Sequence, residues 1–431
     1  MPSTTSDDHI AELVRRNGRS RTVTFIPEPG HEQLFCPVIS VDDHTLEPPD
    51  IFQGRTAAKF HDRVPRVITG DDGAPWWVIE DSLVPILMLN GASGRVLEEW
   101  QEVASDYSEM RRGTWDSTAR LHDMDITGVW ASLCFPSSIW GFAGKRFSAM
   151  GDQELGLACV RAYNDWLLEE WCGAAPDRYI PCQLPWLADA QIAADEIHRN
   201  AERGFRAVSF SENPEGLGFP NIYDRVWDPF LRACEETQTV VNLHVGSSGT
   251  VRRPCSSSVG PVGTVLFPVN GMEALADWIY AGIPLRFPDI TIALSEAGIS
   301  WVPMLLERFE RAYRQAKSEK GKSWPAGAPS PVEFVRRNFV FTSIEDPSGF
   351  RNLDLIGEDR VMVETDYPHF DSTWPDSQAT IRYQLQDLAP STIRKVCYEN
   401  AARIYRHPLP PDELIAASQV GTAAGMAAEA R

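Results

Sequence analysis

The chain has 431 residues, with 60 acidic against 40 basic side chains and a formal net charge of −20. That balance disfavours unspecific binding to nucleic acid or to an anionic membrane. Hydrophobic residues at 43% and charged residues at 23% are ordinary for a soluble globular protein with room for a large core.

No apolar run approaches the roughly 20 residues needed to cross a bilayer. The start, M-P-S-T-T-S-D-D-H-I, has neither the basic segment nor the apolar stretch of a secretory signal. Eight cysteines without a C-x-x-C pair, several inside apolar runs, fit reduced buried thiols. A cytoplasmic protein is therefore expected.

Residues 1–35 read as an N-terminal arm. From Cys36 short β-branched or aromatic runs recur: 36–41, 128–135, 179–184, 207–210, 240–244, 290–296, 339–343 and 361–366. Segments of helical periodicity lie between most of them, at 153–172, 188–203, 224–237, 272–281, 300–316 and 377–388. Eight strand signals alternating with helices predict an α/β fold, a (β/α)8 TIM barrel over residues 36–407. An open doubly wound sheet is the alternative, but no G-x-G-x-x-G follows the first strand. Residues 50–125 are too long for one crossover and predict an insertion after strand one, a lid or a dimer contact. Residues 408–431 read as a C-terminal tail.

In a parallel barrel the strand ends share one rim, where active sites lie. Strand one runs into V-D-D-H-T-L-E-P-P, so Asp42 and His44 project to the same side of an extended chain. His244 ends strand five before V-G-S-S-G, Glu296 ends strand six before Ala-Gly, and Asp366 ends strand eight before Y-P-H-F-D, which contains His369. Each has a simpler role available: a bonded core histidine, a helix cap, a turn former, a loop brace. Together they make an oxygen and nitrogen site for a divalent metal: zinc, manganese or iron, as one or two ions.

D-D-H-x-x-E-P-P, L-H-V-G-S-S-G, S-E-A-G-I-S-W-V-P, E-T-D-Y-P-H-F-D-S-T-W-P-D-S and E-N-A-A-R-I-Y together resemble the amidohydrolase-related metal-dependent family. This belongs to the amidohydrolase superfamily, on the branch like aminocarboxymuconate semialdehyde decarboxylase. S-F-S-E-N-P-E-G-L-G-F-P (209–220) is similar to a longer, less studied branch. The resemblance spans roughly residues 36–407. It implies Asp42, His44, His244 and Asp366 as metal ligands, Glu296 near or on the metal, and a homodimer. Many decarboxylases of the family carry a histidine three residues before that glutamate, where this chain has Ala293. No strand end offers a lysine to bridge two metals.

Two chemistries follow. In hydrolysis, metal-activated water attacks an ester, amide or thioester carbonyl, and Asp366 moves the proton. In non-oxidative decarboxylation of an aromatic or unsaturated acid, His369 or Glu296 would have to supply the acid, with His61 or His122 of the insertion as further sources. Ala293 puts hydrolysis first. A binding scaffold that has lost catalysis is the third reading. Trp76, Trp77, Trp100 and Trp115, with Trp140 and Phe142, suggest an apolar or aromatic small-molecule substrate, or packing. Arg252 and Arg253 are candidates to receive its anionic group, or to form surface ion pairs.

Overall fold

The β-branched and aromatic runs become strands, as their composition dictates. The computed structural model describes residues 23–422 apart from 71–72, 74, 87–90, 100–105, 138, 317–323 and 326. Most of the predicted arm, Trp100 and the last residues of the tail therefore lie outside the described residues.

Strand β1 (Val38–His44) pairs in parallel with β5 (Val129–Phe135), and β5 with β6 (Tyr179–Ile180). Beyond Pro181 the same stave resumes as β7 (Cys182–Gln183). It then runs in parallel order through β8 (Ala207–Ser211), β9 (Val240–His244), β10 (Ile292–Ser295), β11 (Phe339–Ser343) and β12 (Val361–Val363). The ring closes just past β12, where the Asp366 amide donates to the Asp42 carbonyl at 2.9 Å and the Thr365 amide donates to Ser40 Oγ. Counting β6 and β7 as one stave, these are the eight predicted strands of a TIM barrel.

The strands are buried on both faces, as expected where helices cover a parallel sheet. The helices sit close to their predicted places. Gln153–Trp166 starts at Asp152, which caps two amides, and Ala190–Arg203 is capped by Asp189 and stopped by Gly204 in the left-handed region. Strand one stays extended through its polar end, as expected, and carries Asp42, Asp43 and His44 within it. A register shift between Ser40 and Asp43 marks a bulge that re-aims these side chains.

The long first connection holds an antiparallel sheet, β2 (Arg66–Thr69), β3 (Pro75–Ile79) and β4 (Ser82–Pro85), and ends in the crossover helix Ser117–Ile126. Trp77 anchors this sheet on the barrel, meeting Trp140 at 5.0 Å and Phe52 at 6.2 Å between ring centroids. The far end of the connection grips the rim: the Ala92 and Ser93 amides both donate to the Pro368 carbonyl at 3.1 Å. In the tail, the Gln419 and Val420 amides donate to the Leu34 and Phe35 carbonyls, just before β1. All eight cysteines are free and all but Cys255 are buried. No helix among the described residues is long and apolar enough to cross a membrane.

Trp140 is fully buried, stacked on Phe147 at 4.8 Å. Trp140→Ala should therefore lower stability by about 3–5 kcal/mol in denaturant titration. Trp140→Phe, which keeps most of the volume, should lose much less.

Candidate metal centre

The five predicted metal residues come together. His44 Nε2 lies 3.1 Å from Asp366 Oδ1, 3.7 Å from Asp42 Oδ1 and 3.4 Å from His244 Nε2. His244 Nε2 lies 3.5 Å from Asp42 Oδ1 and from Glu296 Oε2. The donor atoms fall into two groups that share His44, Asp42 with His44 and His244, and Asp366 with His44 and His369, each compact enough to hold a cation. All five residues are almost wholly buried, and Asp42 Oδ1 and Oδ2, Asp366 Oδ1 and Glu296 Oε2 have no hydrogen-bond partner. Leaving such oxygens unsatisfied costs several kcal/mol, a cost that a bound cation removes. The cluster can therefore hold a divalent metal.

The backbone is bent to deploy two of these groups. Glu296 and Asp366 have φ of 57° and 51°, a region side-chain-bearing residues enter only under constraint. The simpler role open to Glu296, a helix cap, does not fit this turn. Its amide is taken by Thr342 Oγ1 and by Glu364 Oε2, and the next helix begins only at Val302. His244 Nδ1 lies 2.7 Å from the Val245 carbonyl, which can only accept, so that nitrogen carries the proton and Nε2 is left as a donor atom for a metal.

His369 stands at the edge of the cluster. Its Nδ1 is 2.8 Å from Asp366 Oδ2 and 3.6 Å from Glu296 Oε1. Burial alone would favour its neutral form, but those two carboxylates hold its pKa well above the usual histidine range. Burial would likewise raise Asp366, yet His369 and His44 keep it below the usual carboxylate range. Burial pushes His244 down to about 4 and lowers His44. Asp42 is raised by burial and by the nearby Glu364, Asp366 and Glu296. A divalent cation would invert that last effect, stabilising every carboxylate around it.

Three aromatic rings border the histidines. Phe135 is 4.9 Å and Phe142 4.3 Å from the His244 ring, and Phe370 is 4.6 Å from that of His369. Behind β1, Asp43 accepts from Ser40, Ser132, Thr365 and the Tyr367 amide, while the buried Arg120 donates to the His44 carbonyl.

Other predicted site residues lie elsewhere. Trp140, expected against substrate, is a packing residue closed in by Phe52, Trp77 and Phe147. Arg252, expected to receive an anion, is exposed and paired with Glu273, and Arg253 is also exposed. His61 meets the Thr56 carbonyl and His122 pairs with Glu28, both at the exposed surface. Trp115 packs on Tyr107.

Two buried glutamates, Glu364 and Glu212, were not singled out from sequence, and a third, Glu47, entered only as the last acid of the D-D-H-x-x-E-P-P run. Glu364 stands two residues before Asp366, the same spacing as Asp42 and His44, and that spacing was the available signal. Glu47 accepts from the Ser137 amide and hydroxyl, tying the first rim loop to the second. Glu212, in the S-E-N-P-E-G stretch, accepts from the loop after His244.

The sequence pattern of the amidohydrolase family matches residues 142–407, and the chain belongs to that family. Among solved structures it is similar to an amidohydrolase from Mycobacterium avium subsp. paratuberculosis, at 24% identity and a TM-score of 0.66 over 86% of this chain and 99% of the other. It is also similar to 5-carboxyvanillate decarboxylase from Novosphingobium aromaticivorans, crystallised with manganese and 4-hydroxy-3-methoxy-5-nitrobenzoic acid, at 20% identity and a TM-score of 0.60 over 90% and 100%. A third is 2,6-dihydroxybenzoate decarboxylase from Rhizobium, at 16% identity and a TM-score of 0.56 over 86% and 99%. These likenesses establish the barrel fold.

Metal analysis of the purified protein should find about one equivalent or more of a divalent transition metal, lost on Asp366→Asn. A metal-free wild type would favour the scaffold reading.

Glu47 gives a second expectation. Burial raises its pKa to about 7 against an ordinary value of 4.5, so the folded protein holds a proton there that the unfolded chain has released. Its contribution to stability is present below pH 4.5 and declines as pH rises to 7, by about 1.4 kcal/mol per unit. Comparing Glu47→Gln with wild type by urea titration across that window should show the variant lacking this decline.

Proposed function

We propose that the protein is a metal-dependent, non-oxidative decarboxylase of an aromatic or unsaturated carboxylic acid. The observation that carries this reading is the place of His369, whose Nδ1 lies 2.8 Å from Asp366 and 3.6 Å from Glu296 at the edge of the metal cluster. The decarboxylases that share this fold over nearly their whole length support it, one of them crystallised with manganese and an aromatic acid.

Asp42, His44, His244 and Asp366 would hold the cation. When bound, it would take the substrate's carboxylate and an adjacent oxygen and withdraw electron density from them. With Nδ1 engaged by Asp366, His369 keeps Nε2 for the substrate, and its proton goes to the carbon that bears the carboxylate. The carbon–carbon bond then breaks, its electron pair stays with the protonated carbon's ring, and carbon dioxide leaves. Glu296 and Asp366 stabilise the charged imidazole until transfer and draw the next proton to it. Phe142 and Phe370 offer flat apolar faces for a conjugated substrate.

Hydrolysis is the second reading, favoured by Ala293. The histidine of many decarboxylases is replaced there by a buried methyl within β10. The order is the reverse of that drawn from sequence, because His369 can supply the acid that Ala293 cannot.

The test is to offer the manganese-loaded protein a panel of hydroxybenzoates and carboxylated methoxyphenols beside an aryl ester and an acyl thioester. Carbon dioxide release, suppressed by about 100-fold or more in His369→Ala, is expected. Acyl cleavage without carbon dioxide would reverse the order of the two readings.

A further inference from the structure

S-E-N-P-E-G is a sequence motif to which the mechanism assigns no role, and it delivers a carboxylate to the loop behind His244. Glu212 follows β8 and is only 5% exposed. Its carboxylate accepts five hydrogen bonds. The Gly246 amide reaches Oε1 at 3.1 Å, the Ser248 amide reaches Oε2 at 2.8 Å, and Ser248 Oγ reaches Oε1 at 2.7 Å. Ser247 Oγ and Asn270 Nδ2 complete the cradle. The amides can only donate, and a carboxylate without a proton is the partner they fit.

One of these bonds has a particular geometry. The Gly246 N–H and the Val245 C=O belong to the same peptide unit, and that carbonyl accepts from His244 Nδ1 at 2.7 Å. We propose that Glu212 is a positioning residue for the metal centre, acting on His244 through the Val245–Gly246 peptide. A carboxylate at the N–H end polarises the peptide and makes its carbonyl oxygen more negative. The Nδ1–H bond strengthens, the ring is fixed in orientation, and Nε2 becomes a better electron donor to a cation. In many metal sites a carboxylate bonds the ligating histidine directly. Here a peptide stands between them. Gly246 permits this with φ of 83°, which turns the peptide so that its two ends face the two side chains.

The proposal rests on the metal-dependent reading but not on the reaction, so the test is metal binding. Zinc is titrated calorimetrically into chelator-treated wild type and Glu212→Gln, with folding checked by circular dichroism. The variant should bind about 10- to 100-fold more weakly. Glu212→Asp, which returns the charge, should recover part of the loss. Nitrogen-15 spectra of the zinc-loaded proteins should show the His244 Nδ1–H proton less deshielded in Glu212→Gln with the other amide signals of the loop unmoved, whereas general loosening would shift those amides too. Zinc affinity and His244 shifts equal to those of wild type would overturn the proposal. Should the variant not fold, the wild type alone decides: a strongly deshielded, slowly exchanging Nδ1–H proton on His244 is expected, and its absence refutes the arrangement. Failure to release carbon dioxide from any acid would sink the decarboxylase reading while leaving this one standing.

Discussion

The barrel closes where the Asp366 amide donates to the Asp42 carbonyl, and the rest of the molecule depends on that junction. One backbone bond joins the last stave to the first and sets two cluster carboxylates side by side. Thr365 on one side and Asp43 on the other reinforce it through Ser40, with Arg120 drawn to the His44 carbonyl behind. Fold and site are therefore coupled: the ring cannot shut without bringing the cluster together.

Bringing four carboxylates, Asp42, Glu296, Glu364 and Asp366, into a dry rim with three imidazoles is unfavourable by itself. Burial and mutual repulsion raise Asp42, Glu296 and Glu364, and both acidic turns sit in the left-handed region. Such strain and unsatisfied charge persist only where the surrounding fold over-determines them, and they mark a place built for something else to bind. The insertion adds to this constraint. By holding the Pro368 carbonyl, Ala92 and Ser93 fix the loop that presents His369.

Much of this was legible in the chain. Strand composition and its alternation with helices showed the eight staves, because a parallel sheet buried on both faces demands apolar runs at regular intervals. The cluster residues were legible because polar residues ending such runs must gather on one rim. Misreadings arose where a side chain's surroundings come from distant segments. Trp140 carries no local sign that Phe52, Trp77 and Phe147 enclose it. Arg252 stands next to a metal-ligand loop, yet Glu273 takes its guanidinium.

The sequence by itself determined the barrel, its closing strand and the identity of the groups that meet, since periodicity and the residues at strand ends are local properties. Only the tertiary structure decided how those groups are tuned. It lifted His369 above the usual histidine range by placing Asp366 and Glu296 against it. It raised Glu47 by sealing it from water, and it set Glu212 behind His244 across a shared peptide. These effects depend on distances between atoms far apart in the chain, and charge and desolvation act through space rather than along the backbone.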